Sequence, residues 1–266
     1  MNANKTVTAN FSLIPATPTP RPTSTPNARS YYDKGEDYRD AENWVMAISE
    51  YTRAIQVNLN YTSAYFGRAW SYAGLGQDQN SIDDYTKVIQ LDPDHHAAYN
   101  NRGNSYSNLG QYQLAINDYT KDIQLDSGTA LTYNNRGNSY SNLGQYATAI
   151  ADYTKAIQLD PDYFLSYGNR ANSYYTLGQY QNAISDYTNA IQLDPSNATS
   201  YYGRGNGHYV LGQYQTAITD YTNAIQLDPS NAEAYNWRGN SYRALGQFTL
   251  AYADKTMACS LDSQWC

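Results

Sequence analysis

The chain has 266 residues, with 17 Lys and Arg against 24 Asp and Glu, a formal net charge of −7. That balance argues against a nucleic-acid partner, which needs clustered basic side chains, and no apolar run approaches the ~20 residues that span a bilayer. Tyr occurs 30 times while the aliphatic residues are sparse, so a core must be built largely from Tyr.

The first 27 residues differ in kind from the rest. "PATPTPRPTSTPN" is a Pro/Thr tract, extended and unable to pack a core, and "NFSLIPA" ahead of it is too short for the apolar region of a signal peptide.

From residue 28 onward one period governs the chain. "VIQLDP" ends at Pro93, "DIQLDS" at Ser127, and "AIQLDP" at Pro161, Pro195 and Pro229, always 34 residues apart. The stretch "YNNRGNSYSNLGQY" at Tyr99–Tyr112 returns unchanged at Tyr133–Tyr146. Extended both ways, the frame yields seven units: 28–61, 62–95, 96–129, 130–163, 164–197, 198–231 and 232–266. Each unit reads as two helices. In the fourth, Tyr133, Gly137 and Tyr140 share one helix face, and Gly144 suits a left-handed C-cap. Ala149, Tyr153, Ala156 and Ile157 mark the buried face of a second helix, and Pro161 closes the unit. One such pair cannot bury its apolar face alone, so the units must stack.

These residues (Tyr133, Arg136-Gly137, Tyr140, Leu143-Gly144, Tyr146, Ala149, Tyr153, Ala156 and Pro161) resemble the tetratricopeptide repeat family in a Tyr-rich "RGN" variety. The resemblance covers 28–265 and implies an all-α, right-handed superhelical solenoid whose first helices line a concave groove.

Two charged positions repeat in step. Lys34, Arg68, Arg102, Arg136, Arg170, Arg204 and Arg238 are each followed sixteen residues later by Glu50, Asp84, Asp118, Asp152, Asp186, Asp220 and Asp254. The longer Glu50 follows the shorter Lys34. This predicts a recurring ion pair, either between the helices of one unit or between adjacent units, and it is read as architecture, not chemistry. The competing reading is of solvated charges kept by duplication.

A second, polar stripe runs beside the core stripe: Asn134, Asn138 and Ser141 lie about 80–140° from Tyr133 at 100° per residue. One position is nearly uniform, with Asn104, Asn138, Asn172, Asn206 and Asn240 after Glu36 and Trp70. An Asn amide carries both an acceptor and a donor, suited to the backbone of an extended peptide. By resemblance the stripe faces the groove, in a ladder similar to that of the repeat arm of O-linked N-acetylglucosamine transferases. Its neighbours include Asn100 and Asn134, and its aromatic ends include Trp70, Tyr175, Tyr202 and Tyr209. Basic residues occur only at the ends, Arg39 and Arg243, so the family's carboxylate clamp for chaperone tails is not expected. The competing reading is that the uniform Asn are undiverged copies satisfying turns or backbone.

The ends depart from the pattern. Unit one places Asp40-Ala41-Glu42-Asn43 where others have Leu-Gly-Gln-Tyr. Unit seven has Tyr252 and Lys255 where others have Ile and Tyr. Both read as polar capping of the array, and Lys255 argues against a further unit. The cysteines, Cys259 and Cys266, lie seven apart, and a disulfide is expected to close "SQWC" over the open end, in an oxidising compartment. The alternative is a small core residue and a free tail thiol. With the Pro/Thr tract this suggests an extracytoplasmic or membrane-tethered bacterial protein. The missing signal means either a truncated start or a cytoplasmic protein.

No catalytic constellation, cofactor motif or metal-ligand spacing is found around His95, His96 and His208, so an enzyme is not expected. The leading expectation is a scaffold for a partner protein or peptide. A self-assembling spacer without ligand and a glycan-binding module are the alternatives.

Overall fold

The computed structural model describes residues 27–126 and 128–266. The Pro/Thr tract before Asn27 lies outside the described residues. The described residues form fourteen α-helices without strands: α1 (Ala28–Asp40), α2 (Trp44–Val57), α3 (Thr62–Gly74), α4 (Asp78–Leu91), α5 (His96–Asn108), α6 (Tyr112–Asp126), α7 (Ala130–Asn142), α8 (Tyr146–Leu159), α9 (Phe164–Thr176), α10 (Tyr180–Leu193), α11 (Ala198–Val210), α12 (Tyr214–Leu227), α13 (Ala232–Ala244) and α14 (Phe248–Leu261). Among them no helix is long and apolar enough to cross a membrane.

The helix boundaries have local causes. Asn197 and Asn231 accept the backbone N–H of Ser200 and Ala234 and so cap α11 and α13, satisfying donors that the first turn leaves open. Within each pair a left-handed glycine reverses the chain; Gly144, at φ +74°, has open space around it, so backbone conformation alone demands glycine there. In the first unit that place is taken by Glu42 at φ 54°. The unit-one turn is therefore Ala41-Glu42-Asn43-Trp44, one residue later than the sequence alignment placed it.

Every helix packs against its chain neighbours, giving a solenoid of antiparallel pairs. Odd-numbered helices also touch the next odd-numbered helix, so α1, α3, α5, α7, α9, α11 and α13 crowd together on the inner, concave side. The core between them is a file of tyrosines on the even helices. Tyr51, Tyr85, Tyr119, Tyr153 and Tyr221 are at most 1% exposed, flanked by Ala at 0% such as Ala149, Ala183 and Ala217. The Tyr51, Tyr119, Tyr153 and Tyr221 rings lie against inner-helix glycines, and Tyr85 packs with Ala69. A Cβ added to Gly137 would stand 2.7 Å from Tyr153 Cε1, inside contact distance. Burial holds the phenols of these five tyrosines un-ionised, with pKa values pushed well above the ordinary one.

The ends are not polar caps. Phe248 and Tyr252 on α14 are 68% and 77% exposed, and Val45 on α2 is 66% exposed. The tail turns into a short 3-10 segment, Ser263–Trp265, which packs on α14. It brings Cys259 and Cys266 into bonding position with Cα atoms 4.7 Å apart. The tail lies along the path of the other inter-unit linkers and leaves the end face of α13 and α14 open.

Candidate functional site: an amide-lined inner groove

The repeated charges come together within units. Arg136 Nε and Nη2 donate to Asp152 Oδ2 and Oδ1 at 2.8 and 2.7 Å. The same fork joins Arg68–Asp84, Arg102–Asp118, Arg170–Asp186, Arg204–Asp220 and Arg238–Asp254. The third arm crosses to the preceding unit: Arg136 Nη1 donates to Thr120 Oγ1 at 3.1 Å, and Arg102 and Arg170 do likewise to Thr86 and Thr154. Each Arg therefore staples three helices. Burial disfavours the Arg136 charge, but the hydrogen bonds and charge of Asp152 outweigh it, so its pKa is raised. The first unit departs from the expectation. Glu50 turns to Arg53 at 2.7 Å and Lys34 stays exposed, because an i,i+3 partner on its own helix is nearer than one across the helix pair.

The uniform Asn position has a structural partner that the sequence reading missed. Tyr119, Tyr153 and Tyr221 donate their hydroxyls to Asn104, Asn138 and Asn206 Oδ1 at 2.7–2.8 Å, and Tyr187 does so to Asn172. In unit one Glu36 accepts from Tyr51 in the same way. The oxygen is thereby fixed on the phenol, and the Nδ2 donors take no part in this bond. Asn104 Oδ1 also accepts from Asn135 Nδ2 at 3.1 Å, which fills its second lone pair. In the last unit Lys255 replaces the tyrosine, so Asn240 lacks this phenol.

The groove surface in the middle of the array is rich in amide and hydroxyl side chains. One cleft of about 380 Å³ is lined by Asn104, Ser107, Asn108, Asn135 and Asn138 with Tyr119 and Leu131. The next, about 330 Å³, is lined by Ser107, Asn138, Ser141, Asn142, Asn169 and Asn172 with Tyr153. Asn135 and Asn169 were not foreseen. They sit three residues before Asn138 and Asn172, and an i, i+3, i+7 search from the uniform position would have found them.

Two expected groove residues lie elsewhere. Asn134 is 3% exposed; its Oδ1 accepts from Ser166 Oγ at 3.1 Å and Asn169 Nδ2 at 3.0 Å, so it seals the joint to the next unit. Asn100 occupies the same place one unit earlier, but its Oδ1 is buried without a partner. The hydroxyl that would serve it, on Thr132, turns instead to Asp122 Oδ2 at 3.0 Å. Asp122 is buried where other units carry Ala or Val, and His96 Nδ1 reaches it at 3.1 Å.

The aromatic ends are mostly packed on themselves. Tyr175 meets Tyr180 edge-on, Tyr209 lies 5.0 Å from Trp237, and Tyr202 lies 6.0 Å from Tyr221. Tyr202 donates to Glu233 at 2.8 Å, and burial pushes its pKa up to about 12. Trp70 keeps 47% of its surface exposed, with the Arg39 guanidinium 5.6 Å above its ring.

Sequence models described as tetratricopeptide repeats match residues 62–95, 84–117, 130–163 and 152–185, and one described as TPR repeat matches 171–212 and 205–246. No curated protein matches the chain. Among solved structures, the C-terminal part of a TPR repeat-containing protein from Cytophaga hutchinsonii superposes with a TM-score of 0.72 at 19% identity, covering 87% of this chain and 95% of that one. A tetratricopeptide repeat protein from Parabacteroides merdae gives 0.68 at 20%, covering 88% and 93%. YrrB, described as a TPR protein with an unusual peptide-binding site, gives 0.60 at 20%, covering 69% and 95%.

Proposed function

Since the chain belongs to the tetratricopeptide repeat family, a fold of protein–protein interaction scaffolds, we propose that it is a non-catalytic scaffold holding an extended peptide segment of a partner in the inner groove. One observation carries the reading. The tyrosine hydroxyls pin the oxygens of Asn104, Asn138, Asn172 and Asn206, so one amide donor per unit is pre-oriented toward the groove. Preorganised donors lose little entropy on binding. A file of them at regular intervals suits a file of acceptors, which backbone carbonyls of an extended segment supply. A peptide site in a protein of the same fold, YrrB, supports the reading. The glycan alternative finds less support, because Tyr175, Tyr202 and Tyr209 engage neighbouring rings. As part of the same proposal, the paired cysteines and the Pro/Thr tract favour an oxidising, extracytoplasmic location.

The test must not strip the tyrosines. Asn→Ala would strand a buried phenol, at a cost of about 1–3 kcal/mol. Asn138→Asp with Asn172→Asp keeps the acceptor, as Glu36 does naturally for Tyr51, and deletes only the groove donors. The proposal expects the parent chain to select extended peptides from a diverse library and the double variant, equally stable, to lose them. Retained binding by that variant sinks the amide ladder.

A further inference from the structure

The open end of the array has a shape and charge that match the other end of the same chain. Because the repeat period is constant, each contact between consecutive units states what α14 and α13 would meet in one more unit placed in register, and α1 can be read into that place. Tyr209 touches Trp237; one unit on, these positions are Arg243 and Asp33. The Tyr187 ring lies over Gly203; the corresponding residues are Lys255 and Asp33. Asn104 Oδ1 accepts from Asn135; the counterparts are Asn240 and, once more, Asp33. Three relations converge on one carboxylate, and all three of its counterparts line a single open cavity of about 300 Å³ beside Phe248 and Tyr252.

The remaining contacts agree. Ser166 Oγ donates to Asn134, and the counterparts Ser30 and Asn236 retain both side chains. Arg238 Nη1 donates to Thr222, and Lys34 would face Thr256. Among the described residues Lys34 has no acidic partner, its expected partner Glu50 being taken by Arg53. Asp33 is exposed and, among the described residues, paired only with the still more exposed Arg29. Asp37, also exposed, would face Tyr252. Lys255 and Arg243 at the end of the array are thus both basic, and both meet Asp33 from its start.

We infer that the α13–α14 end face is a docking surface for α1 of a second copy of this chain, continuing the superhelix head to tail with Asp33 seated between Arg243 and Lys255. The contact is heterologous, so it propagates instead of closing. It stands apart from the groove and does not depend on the peptide reading. The tail limits it. Trp265 and Cys266 take the places of Asn27 and Ala28 in the register, and Trp265 N–H bonds Asp262 O as Asn231 N–H bonds Asp228 O. The first turn of α1 therefore competes with the tail held by Cys259, and release of the tail favours docking.

Sedimentation velocity of the full chain over a wide concentration range, at low salt, tests this. Mass is expected to rise with concentration and to fall back as salt screens the charges. Asp33→Lys alone, and Arg243→Glu with Lys255→Glu, are each expected to weaken association by roughly tenfold or more, while an equimolar mixture of the two variants recovers it. Cys266→Ser is expected to tighten it. A parent chain that stays monomeric, association indifferent to both charge reversals, a mixture that fails to recover, or no tightening in Cys266→Ser would each overturn the proposal.

Discussion

Arg136→Leu probes the staple that holds the middle of the array. The substitution removes two bonds to Asp152, of 2.8 and 2.7 Å, and one to Thr120 of 3.1 Å. Asp152 is 6% exposed, and among the described residues nothing else with a positive charge is bonded to it. Stranding such a carboxylate costs about 3–5 kcal/mol, and the lost bond across the unit boundary adds about 1 kcal/mol. The guanidinium also lies 5.4 Å from the Tyr133 ring centre, so part of its stem packing is lost too. Arg136→Leu with Asp152→Leu removes the stranded charge and fills the space with apolar side chains, and it is expected to recover about 2 kcal/mol relative to the single change. Urea unfolding followed by circular dichroism measures both, and hydrogen exchange over α7 and α8 locates the loss, since a repeat array can open locally. A double variant as unstable as Arg136→Leu, or less stable, would refute the claim that the pair is held by mutual neutralisation.

Three further outcomes follow from the packing. Gly137→Ala drives a Cβ into the Tyr153 ring and is expected to destabilise by about 1–3 kcal/mol, whereas Gly168→Ala, with open space around its Cβ, is expected to stabilise by up to about 1 kcal/mol; thermal melts of the two distinguish them by sign. The buried tyrosines make the fold alkali-labile. Their folded pKa values are raised, Tyr202 to about 12, so the unfolded chain releases phenolic protons first, from pH ~10 upward. Stability is thus full below pH ~10 and falls above it, and tyrosinate absorbance should rise together with the loss of helix; titration of the phenols in an intact fold would contradict this. Finally, alkylation of the unfolded, unreduced protein is expected to find no free thiol at Cys259 or Cys266, and labelling of both would remove the pairing and with it the argument for an oxidising compartment.

The stacking, the helix pairs and the charge pairing were legible because each rests on a periodic signal that neighbouring units repeat. Arg136 and Asp152 could be matched by spacing alone, since a charge near a core needs its opposite. Thr120, the third anchor, could not. A hydroxyl in mid-helix carries no sequence mark of what it bonds. The ends misled for a related reason: the exchange of Ile for Tyr at position 252 was read as polarity, but the Tyr252 ring is left 77% exposed.

The polar stripe was read too wide, for Asn134 is buried. An angle of about 100° from Tyr133 places Asn134 beside the core stripe, and on a lone helix pair that flank would be wet. In the array an inner helix meets its own partner, the preceding unit and the next inner helix, so the buried arc is wider and Asn134 falls within it. The same crowding gives Asn138 its dual character. Tyr153 must end somewhere, and its hydroxyl emerges at the rim of the buried arc, where an acceptor is needed. Asn meets that need with its oxygen and still turns an amide outward; Asp or Glu would meet it with no donor left over. Glu36 shows that the acceptor alone suffices for the fold. The phenol alone therefore does not account for Asn at this position, and the proposed peptide groove would account for it through Nδ2.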